Sequence, residues 1–406
     1  MNILFIGKLW PEPTSSAAGK RMLQLISLFQ KLGTVSFAST ASKTGNEFQL
    51  SESLITEFPI ELNSDSFDEL ILTLNPQIVV FDRFMTEEQF GWRVMQICPN
   101  ALRVLDSEDL HFLRKARALQ LEKWTSYDNL DLWNDSTYRE IASIYRSDLT
   151  LLVSDDEQSL LEDSFQIPSY LLYYLPIFSE GMAQGLPSFD ERKGLVFIGN
   201  FLHEPNLDAV RYLKNELWSK IYSIRPDLKM NVFGAYPTAF VMQMNEPKQG
   251  FLVHGRAENA LEVTKNARIS FAPLRFGAGI KGKLLEAMEC GTPSVTTRIG
   301  TEGIAPIQDW AGIVAHSTEE LVDAVIELYG NEVLWDECQK KGAEILKQRF
   351  DCNLFEANFL DEISNLSTNL ELHRSQSIIS KVIQHQSLMS TKYLSKWIME
   401  KQKTKG

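Results

Sequence analysis

Two segments of eleven residues, Ile3–Pro13 (ILFIGKLWPEP) and Leu195–Pro205 (LVFIGNFLHEP), align without a gap at an offset of 192 and are identical at five positions. In each, an apolar run ends at a glycine and passes through a loop into a stretch of helical apolar spacing, so one strand–loop–helix unit opens both halves of the chain. Further apolar runs extend the pattern. The first half offers Asn2–Ile6, Val35–Ser39, Ile78–Phe81, Arg103–Leu105 and Leu149–Val153 as strands; the second offers Leu195–Ile198, Lys229–Phe233, Phe251–His254, Ile269–Ala272 and Ser294–Thr296. Helical patterns fill the gaps, among them Lys20–Leu32, Ala209–Tyr222, Lys281–Cys290 and Thr318–Leu328. Such alternation builds parallel sheets faced by helices. The predicted architecture is α/β: two tandem Rossmann-like domains facing a cleft, with a C-terminal helical tail. The expected boundaries are 1–175, 176–366 with a return helix, and 367–406. Pro176, Gly181, Gly185 and Pro187 punctuate the connector within Tyr174–Arg192.

Composition excludes several classes. Forty basic against fifty-three acidic residues give a net charge of −13, the wrong sign for a general nucleic-acid binder. The four cysteines, Cys98, Cys290, Cys338 and Cys352, form no C-x-x-C pair, which argues against a disulfide framework and the common zinc spacings. No run approaches the roughly 18 apolar residues of a membrane helix, and the N-terminus lacks the charged region and apolar stretch of a signal peptide. A cytoplasmic protein is expected. Charge is uneven, however: Arg374–Gly406 holds seven Lys/Arg and one acid, Glu400, so the tail carries +6 and the remainder −19. Its apolar residues (Ile378, Ile379, Val382, Ile383, Leu388, Met389, Tyr393, Leu394, Trp397 and Ile398) recur at helical spacing. The expectation is a helix packed on the acidic body, apolar side inward. The alternative is peripheral contact with an anionic inner membrane through this basic tail.

Ligands of open α/β sheets bind at the carboxyl ends of the strands, so the loops after Gly7 and Gly199 and before Lys281 are where chemistry is expected. Phe271–Gly303 is the most informative stretch. A strand leads to Gly277 and Gly279, then to a helix carrying Lys281 and Lys283 in its first turn. Glycines permit close backbone approach, and a helix start favours an anion. Cations placed against the dipole point to a phosphate-bearing ligand; the bland alternative is a solvated helix start with Lys283 paired to Glu286. Gly277–Lys283 fits G-x-x-x-x-G-K, but Leu284 follows where a nucleotide hydrolase needs Ser or Thr to hold magnesium. There is no G-x-S-x-G, H-E-x-x-H or D-x-D, and the turn after the first strand lacks G-x-G-x-x-G. No metal or other cofactor is indicated. Trp92, Trp124 and Trp133 show no platform spacing and are expected in the core.

The run from Gly277 through Glu286, Gly291 and Pro293, followed by Gly300-Thr-Glu302-Gly303, resembles the donor-site signature of retaining family-four glycosyltransferases with the GT-B fold. Phe197-Ile-Gly199 with His203-Glu-Pro205-Asn206-Leu-Asp208 is similar to the opening of the second domain in a bacterial subgroup. Phe81-Asp-Arg83-Phe and Asp106-Ser-Glu108-Asp109-Leu-His111 are similar to segments of that subgroup's first domain. The similarity spans roughly Met1 to Leu366. It implies a metal-independent transferase moving a sugar, with retention, from a nucleotide-sugar donor to the hydroxyl of a glycan or lipid-linked acceptor, in bacterial polysaccharide or glycoconjugate assembly.

By the same resemblance, Glu286 holds the donor's ribose hydroxyls, and Lys281 with the backbone of Gly277, Gly279 and Ile280 holds the diphosphate. The Gly7–Gly19 loop closes from the first domain. From their positions, His203 beside Gly199 on the donor side is a candidate contact to donor or acceptor, His111 is the catalytic candidate at the sugar, and Arg21 with Lys20 at a helix start is a candidate for a phosphate or an acidic acceptor, against a solvated face. The pattern is broken at three places: Ala278 stands where the family has its first motif acid, Asn200 opens a loop that usually carries Arg and Lys, and Glu108-Asp109 replaces a frequent His-Asp pair. Lys281, Lys283 or Arg275 would have to compensate for the missing loop cations. A nucleotide-sugar epimerase of the same fold and a non-catalytic, glycan-binding scaffold remain as alternatives.

Overall fold

The computed structural model describes residues 1–122 and 130–403, without the side chains of Ser387 and Leu388. Trp124, Lys405 and the Leu388 side chain therefore lie outside the described residues.

Seven parallel strands form the first sheet: β1 (Asn2–Gly7), β2 (Thr34–Ser39), β3 (Thr56–Pro59), β4 (Ile78–Asp82), β5 (Leu102–Asp106), β6 (Leu149–Leu152) and β7 (Leu172–Tyr174). Six form the second: β8 (Leu195–Ile198), β9 (Met230–Phe233), β10 (Phe251–Gly255), β11 (Ile269–Ala272), β12 (Ser294–Thr296) and β13 (Gly312–Val314). Their spatial orders are β3-β2-β1-β4-β5-β6-β7 and β10-β9-β8-β11-β12-β13, the doubly wound arrangement expected of Rossmann-like domains. The repeated segment has a structural basis: β1 and β8 are the inner strands at which the order reverses in each sheet. Its closing Glu-Pro is not equivalent in the two copies, because Glu12-Pro13 lies in a loop whereas Glu204-Pro205 starts a helix.

Side chains alternate across the first sheet, as a pleated strand requires. Ile3 and Phe5 enter one apolar cluster with Val80 and Val104, and Leu4 and Ile6 enter the other with Val79 and Phe81. The second sheet has a single continuous core.

The chain crosses between domains twice. After β7, Leu175–Gly194 runs outward, tied down by fully buried Arg192, which donates to the Thr292 hydroxyl (2.6 Å) and the Cys290 carbonyl (3.0 Å). The return crossing follows the helix Glu332–Arg349. The two crossings pair side by side through a parallel bridge, Ser179 to Asp351, in which the Ser179 N–H donates to the Phe350 carbonyl (2.8 Å).

This return corrects the expected boundary at 366. The helix Glu356–Thr368 belongs to the first domain: Phe359, Ile363 and Leu366 complete the cluster containing Ile3 and Phe5, and the Phe359 ring meets Phe29 edge-on at 5.5 Å. Burying that apolar stripe outweighs proximity along the chain. The tail expectation is also corrected. The helix Ile378–Lys403 packs on the first domain, but Ser377, Ser380, Ser395 and Met399 are the buried positions while Ile378, Val382, Tyr393 and Trp397 are exposed. Trp92 is buried as expected; Trp133 is not, being 61% exposed and set against the Tyr138 and Phe165 rings. All four cysteines are free thiols. No helix among the described residues is long and apolar enough to cross a membrane.

Candidate active site between the two sheets

The segments that meet across the cleft all follow the carboxyl ends of strands. From the loop after β1, the Glu12 carboxylate accepts from the Tyr236 hydroxyl (2.7 Å), the Thr14 hydroxyl accepts from Arg256 (3.0 Å), and Lys20, in the next helix, donates to Glu289 (3.1 Å). Arg117 clasps Glu302 through two nitrogens (2.7 and 2.9 Å) and donates to the Gly277 carbonyl (2.7 Å). From the helix after β6, Asp156 accepts from the Gly303 N–H (2.7 Å) and Glu157 from the Gly279 N–H (2.6 Å). Beside this contact lies an interdomain cavity of about 700 Å³, lined in part by Arg117, Asp156, Glu157, Arg298 and Glu302.

At the centre is the helix Gly282–Glu289. Several helices here start with a side-chain cap, for example Ser16, Asn134, Ser154, Asn259 and Ser317. This one starts with Lys281 at the cap position, no side-chain cap bond and no acid in its first turn. Its leading N–H groups thus lack the partner an N-cap oxygen would supply, and its positive end faces the first domain. Close packing demands the glycines. A Cβ on Gly282 would lie 2.6 Å from the Ala17 Cβ, and one on Gly279, whose φ is +62°, would lie 2.7 Å from the Asp109 Cβ. Across the cleft, a Cβ on Gly19 would strike the Glu12 backbone at 2.4 Å, and one on Gly7 the Phe37 ring at 2.2 Å. The Gly7 N-terminal loop is held at Lys8, whose N–H donates to Asp82 (2.9 Å).

Lys281 is buried and Lys283 half-buried. Lys281 donates to the Gly279 carbonyl (2.8 Å) with Glu302 at 3.8 Å; burial lowers its pKa and Glu302 partly restores it. Lys283 reaches the Asn206 amide oxygen and lies over the Phe197 ring at 4.3 Å, and burial brings it down to about 7. The alternative pairing of Lys283 with Glu286 does not form. Glu286 is half-buried, and burial raises its carboxyl against the attraction of Lys20 and Lys283. Among the described residues, no donor is hydrogen-bonded to that carboxylate. Gly199 follows β8 and is packed on Asn206, whose side chain would lie 2.8 Å from an added Cβ.

Two histidines from opposite domains look onto Asp109. His111 opens the helix His111–Glu122, whose first N–H groups are met by Glu140 (2.9 and 2.6 Å). Its Nε2 is 3.5 Å from Asp109, and its ring stands edge-on to Phe84. Burial lowers His111 to about 4. His203, at the cap of the helix Glu204–Tyr212, is lowered to about 4 by the same cause. Both are therefore neutral near pH 7. Asp109, despite its burial, is held well below the usual carboxylate range, above all by Arg114. Glu108 is raised to about 8 by burial and by Asp106, and Glu157 to about 7 by burial and by Asp109. The described residues contain no grouping of three or more His, Cys, Asp or Glu that could hold a metal ion.

The structure thus gathers Gly277, Gly279, Ile280, Lys281, Lys283, Glu286, Gly199, His203 and His111 around one cleft closed by the Gly7–Gly19 loop. It finds two candidates already engaged by the protein. Arg21 is fully buried, bonded to the Pro176 carbonyl (2.7 Å) and Asp106 (3.2 Å), and anchors the fold rather than facing a ligand. Arg275 is engaged by Asp208 through two nitrogens (2.9 and 2.5 Å). The clasp residues Arg117, Asp156 and Glu157 carried no sequence signal, since each finds its partner 122 to 185 positions away, whereas Glu302 lies within the quoted signature.

Comparison with known proteins agrees with this geometry. Residues 192–331 match the model of the family described as glycosyl transferases group 1. No curated protein matches the sequence. Among solved structures, HepE of Anabaena, in complex with UDP and glucose, is similar with a TM-score of 0.67 at 12% identity, over 90% of this chain and 99% of that one. Sucrose-phosphate synthase of Thermosynechococcus elongatus gives 0.64 at 12% identity over 90% and 98%. The pneumococcal O-GlcNAc transferase GtfA, in complex with UDP and GlcNAc, gives 0.62 at 11% over 91% and 99%. At these identities the likeness is one of fold. The chain has the two-domain GT-B fold, and its second domain matches the group 1 glycosyltransferases.

Proposed function

We propose that the protein is a retaining glycosyltransferase that moves a sugar from a nucleotide-sugar donor to an acceptor hydroxyl without a metal ion. The observation that carries this reading is the helix Gly282–Glu289, which starts without a side-chain cap at the cleft, with one buried and one half-buried lysine, and presents the acceptor-only carboxylate of Glu286 one turn on. An anion is what such a helix start lacks, and a carboxylate suits the paired hydroxyls of a ribose.

In this reading the diphosphate meets the N-terminal N–H groups with Lys281 and Lys283, and leaves as a stabilised anion. Neutral His111 contacts the transferred sugar from the first domain as a hydrogen-bonding partner without charge. The Glu157 carboxylate, now on the Gly279 N–H, is displaced or protonated when phosphate enters; a carboxyl raised to about 7 by burial and by Asp109 is suited to that exchange. The acceptor, a glycan or lipid-linked sugar, lies on the first domain, and closure excludes water. Retention rests on the signature's resemblance, and the setting proposed is bacterial polysaccharide or glycoconjugate assembly.

The test is calorimetric titration with UDP, GDP and ADP in EDTA, followed by donor turnover with and without acceptor. UDP comes first because HepE and GtfA were each solved with it. Binding of one nucleotide in EDTA with acceptor-dependent turnover supports transfer. An isomerised donor without acceptor would replace it with the epimerase, and binding without turnover with the scaffold.

A further inference from the structure

The tail helix Ile378–Lys403 is mounted with its apolar side outward. Facing the first domain are Ser377, Ser380, Ser395 and Met399, all buried, and half-buried Ile383, which packs against the apolar cluster that contains Leu4 and Ile6. Arg93 donates to the Ser395 hydroxyl (3.4 Å) and contacts the Met399 sulfur (3.2 Å), and Gln384 donates to the Arg146 carbonyl (3.3 Å). On the opposite side Ile378, Ile379, Val382, Met389, Tyr393 and Trp397 are 39 to 71% exposed. At 100° per residue, Ile378, Val382, Met389 and Tyr393 fall within one narrow stripe. Lys381 and Lys392 lie along one side of it and Lys396 at its edge in line with Ile378, Lys401 lies over the Trp397 ring at 4.8 Å, and Lys403 pairs with Glu400 near the end.

A serine-lined face used for packing, with isoleucine, tyrosine and tryptophan left in solvent, reverses the usual order of burial. The helix is long, 26 residues or about 39 Å at 1.5 Å per residue, so the stripe is extended rather than a local patch.

We propose that this face docks on the surface of an anionic phospholipid bilayer, with the apolar stripe entering the headgroup boundary and the lysines meeting lipid phosphates. Charge selects the occupant. The tail carries +6 while the remainder of the chain carries −19, so an anionic surface attracts this face and repels the rest, which fixes orientation. Two copies meeting through the same face would oppose their lysine rows. Tyrosine and tryptophan among lysines are the side chains that settle at a lipid–water boundary.

The test is sedimentation of the full-length protein with sucrose-loaded vesicles of phosphatidylcholine alone and of phosphatidylcholine with phosphatidylglycerol at 3:1. The protein is expected to pellet with the anionic vesicles, weakly with the neutral ones, and less as salt rises. Replacing Lys381, Lys392 and Lys396 together with Gln is expected to lower the partition coefficient by roughly a hundredfold, from about 1 kcal/mol per lysine at such a surface. Trp397→Ser with Tyr393→Ser is expected to abolish pelleting, whereas Leu261→Ser, exposed on the second domain, leaves it unchanged. Circular dichroism checks that the variants remain folded. Equal pelleting with neutral vesicles, no pelleting with either, or indifference to both tail variants overturns the proposal. So does a dimer in solution that Trp397→Ser dissolves. Nucleotide titration of the same samples is independent of either result, so failure here leaves the cleft reading untouched.

Discussion

Replacing Glu286 by Gln separates a ligand-binding carboxylate from a structural one, because the two roles predict opposite stability effects. Burial raises the carboxyl of Glu286 above its ordinary value in the folded protein. A raised acid binds its proton more tightly folded than unfolded, so above that raised pKa the ionised group works against folding. No donor among the described residues is lost on neutralisation, so Glu286→Gln should leave the melting temperature unchanged or slightly higher. Nucleotide affinity should fall. A carboxylate accepting from two ribose hydroxyls makes two charge-assisted bonds, each worth about 1.5–3 kcal/mol. The amide keeps one acceptor and turns a donor toward the second hydroxyl. A net loss of about 2 kcal/mol is expected, or roughly thirtyfold in Kd at 1.4 kcal/mol per decade. Titration calorimetry with the tightest-binding nucleotide, beside thermal melts of both proteins, reads the two quantities together. Unchanged affinity in a variant of unchanged stability would refute the placement of the ribose at Glu286.

Other outcomes follow from the same contacts. Lys283, lowered to about 7 by burial, gains a proton when a diphosphate arrives, so nucleotide binding at pH 8 should take up protons and weaken as pH rises through 7; titrations in buffers of different ionisation enthalpy measure that uptake, and its absence counts against phosphate contact. Arg21→Leu strands the buried Asp106 carboxylate and should cost about 3–5 kcal/mol in denaturant unfolding, far more than loss of a solvated surface arginine. Arg117→Ala removes the clasp on Glu302 and the Gly277 carbonyl; its loss should favour the open arrangement, seen as a larger radius of gyration by solution scattering, with little change in the unfolding of either domain. Gly279→Ala forces a methyl group into Asp109 at a positive φ, and should reduce turnover more than tenfold through incomplete closure, read as kcat against nucleotide affinity.

The inner strands were legible in the sequence because they are buried on both faces and so read as continuous apolar runs. The three that were not, Thr56–Pro59, Leu172–Tyr174 and Gly312–Val314, are all edge strands. Each is only three or four residues long and partly exposed, so neither length nor periodicity marks it. The loop proposed to bind phosphate was legible for a related reason: its glycines, lysines and helix start are contiguous. Arg21 and Arg275 were misplaced because what fixes an arginine is the carboxylate it finds, and Asp106 and Asp208 lie 85 and 67 positions distant. The tail's periodicity was read correctly as a helix, but periodicity says which residues share a face and not which face the body covers. The serines of that helix, spaced to meet the helices Arg83–Ile97 and Asp135–Arg146, decided it.

The paired crossings at Ser179 and Asp351 make the second domain an insertion within the first. The chain departs and returns at adjacent backbone positions, and both the opening strand and the closing helices belong to the same body. A protease cut in either crossing leaves the halves joined by the other. Splicing Ser179 to Asp351 would rejoin the host fold across a gap of one bridge, while residues 180–350 form a cassette whose two ends already lie together. Exchange of that cassette is a route by which one host body could carry a different second domain without remaking its own core.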